Sequence, residues 1–175
     1  GHVRGLGVCA RPAASFDWVR RLLPPLGGRW LRCGIGPTSM QPKRAAHHFL
    51  ITMATALAET VHAADAAGVD LAVLRDVLDA GPMASDVSRI KLDKLVRDDF
   101  TPQAAIRDVS TIARLVADQA ASAGVDAPLM LRCVDLFEKA ANSGCDTLDM
   151  IAVVKAFAAA SVNSTCPVES ANPNE

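Results

Sequence analysis

Between Pro42 and Gly68 the chain contains neither proline nor glycine. That uninterrupted stretch predicts one helix from about Ser39 to Ala67. Pro42 falls in its first turn, where a missing backbone N–H costs no hydrogen bond. At about 1.5 Å per residue such a helix is roughly 40 Å long. Phe49, Met53 and Leu57 form one apolar stripe along it, and Leu50, Ala54, Ala58 and Val61 form a second beside the first. A face that wide belongs to a helix packed on more than one side. The rest of the fold must therefore be built around this rod.

Beyond Gly68 the chain reads as shorter helices with clear punctuation. Asp70 caps Leu71 to Ala80, which Gly81-Pro82 stops; Asp86 to Val96 comes next. Thr101-Pro102 has the form of an N-cap followed by a first-turn proline, predicting a helix from there to Gly124. Pro128 opens a helix ending near Asn142, and Thr147 to Ala160 is the last. Helices joined by short loops argue for an all-α bundle. Ahead of the rod, Val3–Cys9 and Trp30–Cys33 read as short strands flanking a helix capped by Ser15 and ended by Pro24-Pro25. That makes one α/β unit at most. The expected fold class is mainly α: a helical bundle on one long central helix, preceded by a short α/β segment.

Composition agrees. Half the residues are apolar, only 4% are aromatic, and tyrosine is absent. Alanine-rich chains with few β-branched residues favour close-packed helices. A net charge of −1 supplies no field for a polyanion, so nucleic acid is not expected as a partner, and a helix-turn-helix reader lacks its basic recognition helix. No apolar run is long enough to span a membrane. Cys9, Cys33, Cys133, Cys145 and Cys166 are widely spaced and suggest neither zinc nor a disulfide framework, but reduced thiols in a cytoplasmic protein. His62 and Glu59 lack a further partner at metal-ligand spacing. The Gly1-His2 start, without an initiator methionine, suggests a trimmed chain or a partial gene, and the tail from Val162, rich in Ser, Asn, Pro and Glu, reads as disordered.

The order of segments resembles that of a known family. Phe16-Asp17-Trp18-Val19-Arg20-Arg21-Leu22-Leu23, Ala63-Ala64-Asp65-Ala66-Ala67-Gly68-Val69-Asp70, Asp98-Asp99-Phe100-Thr101-Pro102 and Gly144-Cys145-Asp146-Thr147-Leu148-Asp149-Met150 are arranged like the second half of the β-hydroxyacid dehydrogenases. That group includes the 3-hydroxyisobutyrate and 6-phosphogluconate dehydrogenases. The resemblance implies three segments: residues 1–37 as the end of a Rossmann domain, 38–161 as the helical dehydrogenase domain, and 162–175 as the tail. It also implies NAD or NADP as cofactor of the complete enzyme and a small hydroxyacid as substrate; a homodimer is expected because the long Ala-rich helix has more apolar face than the short helices of one subunit can cover. The family's Gly-x-Gly-x-x-Gly turn would lie before residue 1, so no cofactor is expected on this chain alone. Gly34-Ile35-Gly36-Pro37 follows a strand but lacks the third glycine, and Pro37 removes an N–H from any phosphate cradle.

The resemblance further implies a catalytic lysine near the start of the long helix and a substrate-holding asparagine one turn later. Here that turn reads Lys43-Arg44-Ala45-Ala46-His47-His48. One register puts Arg44 and His48 at the two positions; the other puts Lys43 and His47 there. The first keeps the apolar face in phase and is preferred, since a one-residue shift rotates the helix by about 100°. Arg44 cannot give up a proton, but it can grip a carboxylate through two hydrogen bonds, and histidine titrates near neutral pH. A plainer reading leaves all four as solvated or core-edge polar groups. The family's cofactor-side lysine falls on Thr111, with Ile112 beside it, and neither replaces a cation. Two functions stay open: a domain of an NAD(P)-dependent oxidoreductase, inactive as the isolated chain, or a non-catalytic homodimerisation module with a degenerate site.

Overall fold

A computed structural model describes residues 6–9, 29–33 and 40–157. The chain divides into two compact units, Gly1–His47 and His48–Glu175. In the first, β1 (Leu6–Cys9) pairs in parallel with β2 (Arg29–Arg32), in the register Leu6↔Arg29 to Cys9↔Arg32. The expected helix at Ser15 and the expected tail both lie outside the described residues.

Helical segments carry the remainder. Helix α1 spans Gln41–Ala66, close to the predicted bounds, and α2 (Leu71–Ala80) and α3 (Asp86–Val96) span the expected residues. Asp70 Oδ1 accepts the Ala72 N–H at 2.8 Å. Ser85 and Ser88 exchange side-chain and backbone hydrogen bonds as a capping box. Helices α4 (Ile106–Ser122) and α5 (Pro128–Ala140) pack along each other. A π turn, Ala141–Cys145, then leads to a closing 3₁₀ helix, Met150–Ala156. Gly68 and Gly144 have φ of 75° and 84°, a left-handed conformation that side chains with a Cβ resist. Gly68 closes α1, and Gly144 kinks the chain inside the π turn.

Alanine lets these helices approach closely. Ala54, Ala58, Ala113 and Ala152 are wholly buried, among Ile51, Ile106, Met130, Phe137, Ile151 and Val153. The rod contributes Ile51, Ala54, Thr55, Ala58 and Val61 to this core. Its expected first stripe is only partly used: Met53 and Leu57 are half-buried, and Phe49 remains 72% exposed. Helix α2 buries no residue fully; Leu71, Leu74 and Leu78 lean on the core while Val73 and Val77 face outward.

Two expected boundaries are corrected. Thr101-Pro102 does not start a helix, because neighbours claim the N–H groups there. The Thr101 N–H goes to Asp99 Oδ1 and the Gln103 N–H to Asp149 Oδ2, while Ala105 forms an antiparallel bridge with Asp149. The segment is held extended until Ile106. The last helix likewise starts at Met150 rather than Thr147, since residues 146 and 148 spend their carbonyls on the N–H groups of Arg107 and Ile106. Cys145 is disulfide-bonded, against the expectation of reduced thiols; Cys33 and Cys133 are free. Among the described residues no helix is long and apolar enough to cross a membrane.

Candidate functional site

Four basic side chains gather at the start of α1. Lys43 and His47 are one turn apart, as are Arg44 and His48, so each pair lies along one line of the helix. Lys43 and Arg44 are exposed, while His47 and His48 are half-buried. Burial, then the charge on Lys43, lowers the His47 pKa below its ordinary value, which keeps that imidazole neutral and basic near pH 7. No acidic residue stands in the first turn, and from Gln41 to Ala58 the helix carries no carboxylate. The N–H groups of a helix start give that end a partial positive charge. These turns therefore form a locally cationic surface on a chain of net charge −1.

Thr111 lies elsewhere, in a groove between α4 and α5 of about 470 Å³. Its hydroxyl donates to the Arg107 carbonyl one turn back, at 3.0 Å. Ser110, Arg114, Asp118, Glu138 and Asn142 share the groove. The Arg114 guanidinium is paired with the Glu138 carboxylate across the two helices. Arg114 and Glu138 escaped sequence reasoning, although Arg114 stands one turn after Thr111 and so on the same face. Arg107 and Asp108 form a surface pair at 3.9 Å, both well exposed.

The most buried ionic group was also unforeseen. Asp149 has no exposed surface, and its carboxylate accepts Lys91 Nζ at 2.8 and 2.9 Å, the Gln103 N–H at 2.8 Å and the Ile151 N–H at 3.1 Å. Lys91 Nζ also donates to Gln103 Oε1 at 3.2 Å. Burial pushes the Asp149 pKa up, but the bonds from Lys91, Gln103 and Ile151 outweigh it and hold the carboxyl below the usual range. This clasp joins α3, the extended segment and the closing helix, and it sets where α4 begins. Its local signal was an aspartate ahead of the apolar run Met150-Ile151-Ala152-Val153, an N-cap pattern; its partner Lys91 is 58 residues away.

Elsewhere His62 stacks on Phe157 with ring centres 6.1 Å apart, and Lys155 lies 4.6 Å from the centre of the Phe100 ring. Among the described residues no three His, Cys, Asp or Glu side chains are placed to hold a metal ion.

Known proteins are similar to this chain in sequence and fold. L-threonate dehydrogenase of Escherichia coli K12 is 28% identical over 144 residues, covering 82% of this chain but 48% of the relative. The chain thus spans about half the length of the curated relatives it matches. The crystal structure of 3-hydroxyisobutyrate dehydrogenase from Salmonella typhimurium superimposes with a TM-score of 0.77 at 25% identity, over 87% of this chain and 52% of that one. The Mycobacterium tuberculosis 3-hydroxyisobutyrate dehydrogenase structure with L-serine is alike in fold, with a TM-score of 0.75 at 22% identity over 86% of this chain and 54% of that one. Residues 42–157, which hold α1, the groove and the clasp, match the family model for the NAD-binding domain of NADP-dependent 3-hydroxyisobutyrate dehydrogenase, and the chain belongs to that family of β-hydroxyacid dehydrogenases.

Proposed function

We propose that this chain is the helical, substrate-side domain of an NAD(P)-dependent oxidoreductase acting on a small β-hydroxy acid. The observation that carries the reading is the carboxylate-free, basic start of α1 within a domain of this family. A hydroxyacid presents a carboxylate, and Arg44 has the planar fork that binds one through two hydrogen bonds. His48, one turn on, takes the adjoining position, and the partly buried, neutral His47 can accept a proton from a hydroxyl. Burial, seconded by the charge on Lys43, keeps His47 in that form. Counting back about 100° per residue, both lines of side chains run up the same side of α1 as its buried stripe.

Chemistry of the donor set limits what this domain does for the cofactor. Thr111 offers no cation, and the guanidinium of Arg114 is already held by Glu138. The α4–α5 groove does not fit an anionic dinucleotide. The test is an assay of the protein carrying this domain, by reduced-cofactor absorbance with NAD and with NADP, against short hydroxyacids including L-threonate and 3-hydroxyisobutyrate. Oxidation of at least one is expected. Absence of turnover with every acid and both cofactors would leave the second reading, a helical homodimerisation module.

Association is proposed on either reading. Val69, Val73 and Val77 repeat every fourth residue from just before α2, and all three are exposed, as is Phe49 on α1. Exposed apolar rows of this kind mark association surfaces, and a second copy covers them most simply, with two-fold symmetry. Sedimentation at micromolar concentration is expected to give a dimer, and Val73→Lys/Val77→Lys a monomer of unchanged helicity. A wild-type monomer under those conditions would refute it.

A further inference from the structure

Charge at the α4–α5 groove has the wrong sign for the ligand by which the family is described. An NAD(P) molecule carries its anionic charge on phosphates, and the walls that receive such groups supply backbone N–H groups or uncompensated cations. The groove supplies neither. It lies along the sides of two helices rather than at their N-termini, and N–H groups in mid-helix are spent on the helix itself. Its lining holds one cation, Arg114, and two carboxylates, Asp118 and Glu138. Glu138 is bonded to that cation from the opposite helix, and Asp118 stands one turn beyond it on α4. The hydroxyl of Thr111 is committed to the Arg107 carbonyl.

We infer that this groove has ceased to be a cofactor wall: it repels the dinucleotide, and the phosphates of NAD(P) are held without help from α4 and α5. The inference rests on the reading of the chain as a dehydrogenase domain. Reversing the charge tests it. Thr111→Lys adds a cation and Glu138→Gln removes a carboxylate while releasing Arg114, so one cation against two carboxylates becomes two against one. Both positions reach solvent, and the second change keeps the side chain's shape.

The experiment is a titration of the 175-residue chain with NADPH, read from the amide resonances of Ser110, Thr111, Arg114 and Asn142. In the wild-type chain those resonances are expected not to move at millimolar NADPH. In Thr111→Lys/Glu138→Gln they are expected to shift saturably, and the shifts should vanish at high salt, where charges are screened. Saturable movement of groove resonances in the wild type would overturn the inference. So would a doubly substituted chain that stays silent while its other amides keep their native positions, since charge would then not be what excludes the cofactor. Failure of the dehydrogenase reading shows separately, as lack of hydroxyacid oxidation by the unaltered protein.

Discussion

Asp149→Ala is expected to destabilise the helical unit by about 3–5 kcal/mol, the scale on which breaking a buried ion pair leaves an uncompensated charge behind. The substitution strands Lys91, whose side chain is only 6% exposed, and frees the Gln103 and Ile151 N–H groups together. Helix content followed through chemical denaturation measures the loss. Lys91→Met combined with Asp149→Leu should recover much of it, because no charge then remains buried. A loss below about 1 kcal/mol, the value of a surface pair, would show that the clasp is not closed in solution. Acid provides an independent readout. The folded-state pKa of Asp149 is depressed, so its contribution is complete above the unfolded value of about 4. It is lost as pH falls through the lower, folded pKa. Stability should therefore drop on acidification below about pH 4, and Asp149→Ala should flatten that dependence.

Arg44→Ala is expected to reduce kcat/KM for the hydroxyacid by on the order of 10–100-fold, the equivalent of about 1.5–3 kcal/mol for hydrogen bonds to a charged group. Lys43→Ala should cost far less, because its effect passes through His47: without the neighbouring charge the His47 pKa rises, so the acidic limb of the pH–rate profile moves to higher pH while the plateau changes little. The measurement is steady-state oxidation by both variants across pH. If Lys43→Ala proves the more damaging by tenfold or more, the alternative register is correct and Lys43 rather than Arg44 meets the substrate. Arg44→Lys separates two roles of the arginine. Partial rescue would mean that charge suffices, whereas a loss equal to that of alanine would mean that the two-pronged geometry is needed.

Much of the architecture could be read in advance because it is encoded locally. The breaker-free run after Pro42, the cap at Asp70 and the stop at Gly81-Pro82 each act within one helical turn, so their residues suffice to place α1 and α2. The start of α4 could not be read this way. Thr101-Pro102 has a helix-start signature, but Asp149, 46 residues beyond Gln103 in the chain, takes the backbone group that helix formation would have used. A pattern confined to neighbouring residues has no access to that competitor. The same holds for the groove: Thr111 could be located by its place in the family order, whereas the pairing of Arg114 with Glu138 depends on how α4 and α5 pack. The buried stripe of α1 was only half legible, since it includes Ile51 and Thr55, which lay in neither expected stripe; Thr55 satisfies its buried hydroxyl by donating to the Ile51 carbonyl at 2.9 Å. The basic start of α1 was legible in composition, though not in which residue of each pair meets a ligand.

Helix α2 leans on its neighbours without sinking a single side chain fully into them. Local opening of a segment costs roughly what its burial contributes, and segments with little burial open well below the free energy of global unfolding. This stretch can therefore detach and re-dock while α4, α5 and the closing helix stay folded. The domain consequently has a soft end beside a hard one, able to adjust to whatever docks on it without loosening the clasp.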